Sequence, residues 1–174
     1  SDRDRAAGAP TSSAAPGIGT PTDLDRPPVA GAAGVGDRYF PRYGNGGYDV
    51  AHYRLRLSYS PATDRLQGSA TIEAKTGRPL RSFNLDLVGL SVRSISVDGE
   101  PARWRRGSHE LTVTPAQPLP IGAQFRTVVR YSGRPEAGFR ATNDGALVAG
   151  QPESAAYWFP VNDHPTDKAT YTFV

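Results

Sequence analysis

The 174-residue sequence contains neither cysteine nor methionine. Without thiols there is no disulfide framework, no cysteine nucleophile and no cysteine metal site. Without methionine, Ser1 is not a translation start, and the sequence is read as a piece of a longer protein. Lysine is nearly absent too: Lys75 and Lys168 stand among many arginines. Long apolar runs are missing. None approaches the roughly 20 residues that a membrane helix needs, and no apolar signal core remains at the front. A membrane partner is therefore not expected.

The apolar deficit is steepest over residues 1–36, where Ile18, Leu24, Val29 and Val35 are the only large aliphatics. The rest of that stretch is largely alanine, glycine, proline, serine and threonine. Such a segment buries too little surface to offset its ordering entropy, so a disordered tail or linker is expected there. A low-complexity stretch of this kind commonly follows a removed secretory signal, and export from the cytoplasm is the expectation. The formal charge is +3. Arginines alternate with Asp and Glu along the chain, and the one tight cluster, Arg103, Arg105 and Arg106 around Trp104, reads as a solvated strand face. No nucleic-acid partner is expected.

From residue 37 onward the dominant period is two. Ala51, Tyr53, Leu55, Leu57 and Tyr59 alternate with His52, Arg54, Arg56 and Ser58, which predicts a half-buried antiparallel strand. Ser60 to Asp64 supplies a turn, and Leu66, Gly68, Ala70, Ile72 and Ala74 continue the alternation as the second arm of a hairpin. Further short strands are predicted around Phe83–Leu87, Leu90–Val97, Ala102–Trp104, Leu111–Val113 and Phe125–Tyr131, with Asp98-Gly99 as a tight turn. Ala146–Ala149 and Thr170–Val174 add two more. No helical spacing persists beyond one turn over residues 37–149. The expected fold is all-β: a saddle-shaped β-sandwich of mostly antiparallel strands, one domain over 37–174.

Chemistry-bearing patterns are few. His52, His109 and His164 form no H-E-x-x-H pair, so no zinc-peptidase site is expected within the sequence itself. His52 and His109 read as inert surface residues. Asp163-His164-Pro165-Thr166-Asp167 is the one carboxylate–imidazole cluster, and it reads as a turn stiffened by Pro165 rather than a metal site. No G-x-S-x-G elbow or identifiable base accompanies the serines. Neither catalytic nor metal-ligating residues are assigned. Gln151 and Glu153 remain, flanking Pro152, which keeps that stretch from continuing as an internal strand. A carboxamide and a carboxylate side by side on a stiff loop suit an ammonium group.

Taken in order, several segments resemble one family. These are Tyr48-Asp49-Val50 leading into His52-Tyr53-Arg54-Leu55, Leu66-x-Gly68 with Ala70-Thr71-Ile72, and Phe83-x-Leu85-Asp86-Leu87. The closing stretch is Trp158-Phe159-Pro160-x-x-Asp163-x-Pro165-x-x-Lys168-Ala169, downstream of Gln151-x-Glu153. The chain from residue 48 resembles the N-terminal domain of aminopeptidase N-like zinc metallopeptidases, the group that includes leukotriene hydrolases. Departures occur at Val161-Asn162, where a cysteine-containing stretch is usual, and at His164, where an acidic or small residue is usual.

The resemblance implies a noncatalytic domain packed on a thermolysin-like catalytic domain of the same polypeptide. That catalytic domain, not this sequence, would hold the zinc and hydrolyse peptides from their amino end. It further implies that Gln151 and Glu153 help form the pocket for the substrate's free amine. Asp163, Pro165 and Lys168 would form a structural turn near the domain interface. The alternative reading is a stand-alone β-sandwich module that binds carbohydrate or cell-wall polymer on exposed Trp104, Tyr157 and Trp158.

Overall fold

Period-two patterning from Tyr48 produces the longest hairpin of the molecule, β2 (Tyr48–Ser60) and β3 (Arg65–Thr76), joined by a turn at residues 61–64. The computed structural model describes residues 26–34, 38, 44–142, 145–148, 154–164 and 168–174. The remaining strands are β1 (Val29–Ala30), β4 (Leu80–Asp86), β5 (Ser91–Val97), β6 (Glu100–Pro101), β7 (Arg103–Arg106) and β8 (Glu110–Thr114). They are followed by β9 (Gln124–Gly133), β10 (Phe139–Thr142), β11 (Gly145–Val148) and β12 (Thr170–Phe173). Apart from one 3₁₀ turn at Ala155–Tyr157, no helix occurs among the described residues. Accordingly none there is long and apolar enough to cross a membrane.

The strands form a six-stranded sheet ordered β12-β2-β3-β9-β5-β6, a four-stranded sheet ordered β1-β4-β8-β7, and the separate hairpin β10-β11. Pairing is antiparallel except for β1 with β4 and β12 with β2. The arrangement is the expected all-β sandwich of mostly antiparallel strands. Its core lies between the two large sheets. Tyr53, Leu55, Ile72, Val129 and Tyr131 of the larger sheet pack with Leu80, Phe83, Leu85, Leu111 and Val113 of the smaller. Phe83 meets Phe125 and Tyr48 at centroid distances of 5.1 and 5.6 Å, tying one sheet to the other through edge-on and tilted rings.

Three local features refine the reading of the sequence. The register of β2 against β3 shifts between Val50 and His52, so Val50 and Tyr53 are both buried while Ala51 is exposed. A β-bulge resets the alternation at that point, and Ala51 does not join the core face as its spacing suggests. The turn at Asp98-Gly99 has φ of 51° and 89°, both left-handed, as a two-residue hairpin connection requires. Gly68 stands opposite Tyr131 across β3 and β9, and a Cβ on it would lie 2.2 Å from the ring's Cζ. Only a residue without a side chain lets that buried ring lie flat across the strand.

Part of the segment 1–36 is described. Val29 and Ala30 pair in parallel with β4, and Gly31 N–H donates to the Ser82 carbonyl at 2.8 Å. Backbone hydrogen bonds to a sheet edge hold these residues, so side-chain composition is a poor guide there. Residues 1–25 lie outside the described part.

Candidate functional site

The closing motif folds onto the sandwich through one buried carboxylate. Asp86, the last residue of β4, has no solvent-accessible surface (0%). Its backbone forms both hydrogen bonds of a bridge with Val161: Asp86 N–H to the Val161 carbonyl at 2.7 Å, and Val161 N–H to the Asp86 carbonyl at 3.1 Å. Its side chain continues the contact. Oδ2 accepts from the Asp163 backbone N–H at 2.9 Å and from Asn45 Nδ2 at 3.2 Å. Asn45 in turn donates its backbone N–H to Asn162 Oδ1, and Asn162 N–H donates to the Tyr53 hydroxyl at 2.9 Å. The stretch Val161-Asn162-Asp163 is thus fixed to β2, β4 and the Asn45 loop by buried hydrogen bonds, which low dielectric strengthens.

Aromatic packing holds the same stretch from its other side. Phe159 meets Tyr53 edge-on at 5.7 Å and Trp158 at 4.4 Å. Trp158 and Phe159 are buried, with 7% and 2% of their surfaces exposed. Trp158 is therefore a core residue and no stacking platform, which removes the main support for the carbohydrate-module reading. Tyr157 is half-buried, and Trp104 alone of the three stands open. Strand β12 covers the motif further: Tyr171 stacks on Tyr53 at 5.1 Å and Phe173 on Trp158 at 6.4 Å. His52 bridges to that strand, with Nδ1 at 2.6 Å from Thr170 Oγ1 and Nε2 at 3.1 Å from Thr172 Oγ1.

A second group of titratable residues converges on the other face of Asp86. In the β4–β8 register Asp86 stands directly opposite Glu110, and His109 precedes it at the end of the 107–109 turn. His109 Nδ1 lies 3.7 Å from Asp86 Oδ1. One ligand atom from each of Asp86, His109 and Glu110 falls within 4.8 Å of the others. Burial raises the Asp86 carboxyl above its usual range, against the opposing pull of the Asp163 N–H, His109 and Asn45. Burial likewise pushes Glu110 up to about 7, helped by the charge and hydrogen bonding of Asp86. Reading the sequence missed this group. Asp86 enters the sequence reading only as part of the Phe83–Leu87 strand, and His109 as an inert surface residue. Only the strand register brings them together.

Gln151 and Glu153, expected to meet a substrate amine, lie outside the described residues, as do Pro165, Thr166 and Asp167. What is described is the frame that follows them: residues 154–164 are pinned to the sandwich through Asp86. His164 is buried beside that frame and takes no part in the Asp86–His109–Glu110 group. Lys168 is exposed. A groove of about 570 Å³ opens elsewhere, lined by Asp49, Glu73, Lys75 and Arg126 among others, and no residue of the closing motif lines it.

Comparison with known proteins agrees with this architecture. Residues 50–174 match the family model described as the peptidase M1 N-terminal domain. Among solved structures, an M1 zinc metallopeptidase mutant from Deinococcus radiodurans, bound to a Tyr-Ser-Ala substrate, is 32% identical, with a TM-score of 0.74 over 80% of this chain. A two-domain M1 zinc metallopeptidase mutant bound to L-arginine matches with the same identity, coverage and score. The chain spans 35% of the length of each of these. Yeast LTA4 hydrolase bound to bestatin shares the fold at 22% identity and a TM-score of 0.60, over 73% of this chain and 22% of that one. No curated protein sequence matches at the same significance. With 125 of its residues under that family model, the chain belongs to the M1 peptidase family, and residues 50–174 are its N-terminal domain.

Proposed function

We propose that this domain serves a zinc aminopeptidase as the noncatalytic wall of its substrate-amine pocket, with Gln151 and Glu153 receiving the free ammonium group. The observation that carries the reading is the family match over residues 50–174, joined to 32% identity with a zinc metallopeptidase bound to a tripeptide substrate. The geometry supplies a reason for placing the anchor here. Buried hydrogen bonds through Asp86 hold residues 161–163, so the chain just before them starts from a fixed frame. A preorganised anchor loses less entropy on binding.

Peptide hydrolysis itself belongs to a catalytic domain in this reading. The three histidines form no H-E-x-x-H pair, and Asp86, His109 and Glu110 offer one imidazole where zinc peptidases of that motif use two. The catalytic zinc does not fit this chain. Its contribution is to bind and orient the substrate's amino end.

The reading is tested on the whole natural polypeptide. Gln151→Ala and Glu153→Ala should each lower kcat/KM for peptides with a free amino terminus by about ten- to hundredfold, the worth of one hydrogen bond to a charged group. N-acetylated peptides should lose their disadvantage in the same variants, and thermal midpoints should stay put. Unchanged discrimination between free and acetylated substrates would overturn the assignment. Reproducible aminopeptidase turnover by the 174-residue chain with added zinc would overturn the noncatalytic role.

A further inference from the structure

Two carboxylates face each other across β4 and β8, and the one hydrogen bond open between them is through a proton they share. Asp86 is completely buried, and while Oδ2 accepts from Asn45 and the Asp163 N–H, its Oδ1 accepts none. Glu110 Oε2 is buried as well and also lacks a hydrogen-bond donor. Like charges placed directly opposite in an antiparallel pair repel, and burial makes that repulsion costlier. Only a protonated His109 relieves it, and the nearby guanidinium does not. Arg106, on β7 beside β8, leaves its own buried Nη1 without a hydrogen bond and forms no ion pair with either carboxylate. The site is short of positive charge, and an imidazole nitrogen stands 3.7 Å from the bare Asp86 oxygen.

We propose that Asp86, His109 and Glu110 bind a zinc ion of their own, structural in role and separate from any catalytic metal. The donor set selects the ion. Two carboxylates and one imidazole suit zinc, whereas calcium and magnesium favour all-oxygen shells. The ligand atoms lie within 4.8 Å of one another. Zinc bonds of about 2.0–2.2 Å place tetrahedral ligands about 3.3–3.6 Å apart, so the three side chains need to close by up to about 1.5 Å. His109 retains 24% side-chain exposure, which leaves a path for entry and room for a water as fourth ligand. Asn45 and the Asp163 N–H already orient Asp86 through its other oxygen, as second-shell donors do for metal-bound carboxylates. The ion would join the 107–109 turn to the residue on which the closing motif hangs. This inference does not rest on the proposed role in an aminopeptidase.

Equilibrium dialysis of the 174-residue chain against zinc, with elemental analysis, tests the site directly. We expect one zinc per chain and a raised thermal midpoint in its presence. Glu110→Gln and His109→Asn are both partly exposed positions, chosen so that at least one variant folds. Each should weaken zinc binding at least tenfold and abolish the midpoint shift, with the β-sheet circular dichroism preserved. Less than one zinc per chain at saturation, or binding and midpoint shift unaltered in the folded variants, would overturn the proposal. The first result would mean that a shared proton satisfies the carboxyl pair, the second that zinc sits elsewhere.

Discussion

Asp86 carries more of the closing motif's attachment than any residue of the motif itself. Truncating it leaves the Asp163 N–H and the Asn45 amide without their acceptor in a closed interior. Asp86→Ala in zinc-free protein should therefore cost about 3–5 kcal/mol, the range for breaking a buried polar network. Asp86→Asn is a sharper test. Its amide oxygen keeps both hydrogen bonds and its NH₂ meets Glu110, so the loss should be about 1 kcal/mol or less. Urea denaturation of the three proteins measures the order, and equal losses for Asn and Ala would show that shape, rather than hydrogen bonding, matters at this position. Little of this was legible in advance. The spacing of Phe83, Leu85 and Leu87 predicts a strand and leaves the burial of Asn84 and Asp86 between them unannounced. Both are buried because β4 is covered on that side too, by Gly31, Asn45 and the 161–163 stretch. Convergence of residues so far apart along the chain leaves no periodic trace.

Strands with one wet face, by contrast, declare themselves. The β2–β3 hairpin and β9 follow their alternation almost throughout, because most inward positions are apolar and most outward ones polar, with Thr127 and Val128 of β9 reversed. The exceptions have physical causes. The bulge at Ala51 slips the phase of β2 by one residue, and β1 is held by backbone hydrogen bonds that composition does not report. Gly68 marks a third exception, an apolar position that must stay empty. Tyr131 is buried over it, so its ring has no solvent to retreat into. Gly68→Ala should cost about 1–3 kcal/mol, the usual penalty for overpacking. The double variant Gly68→Ala with Tyr131→Leu should recover part of that loss, because the clash disappears with the ring. If the two substitutions simply add, the close approach is not the reason for glycine.

On the scale of the whole domain, the described residues leave an apolar surface uncovered along β12. Trp158 and Phe159 of the closing motif do not form it. They are buried because β12 lies along β2 and lays Tyr171 and Phe173 over them. The apolar surface is thereby passed outward rather than removed. Tyr171, Phe173 and Val174 are 46%, 62% and 55% exposed, stacked along the edge strand of the six-stranded sheet. An apolar edge strand invites pairing with another chain, since it offers both ring faces and backbone groups. The isolated chain should therefore self-associate reversibly at roughly 10–500 µM, the range where exposed edges commonly aggregate. Phe173→Lys places a charge at the most exposed ring and should shift the association midpoint upward by about tenfold, a change of about 1.4 kcal/mol. Sedimentation velocity over that concentration range reads both effects. A monomer at every concentration would mean that the β12 edge is protected within the domain. Association unchanged by Phe173→Lys would move the contact to another face, with the exposed Leu147–Val148 pair of the β10–β11 hairpin the next to substitute.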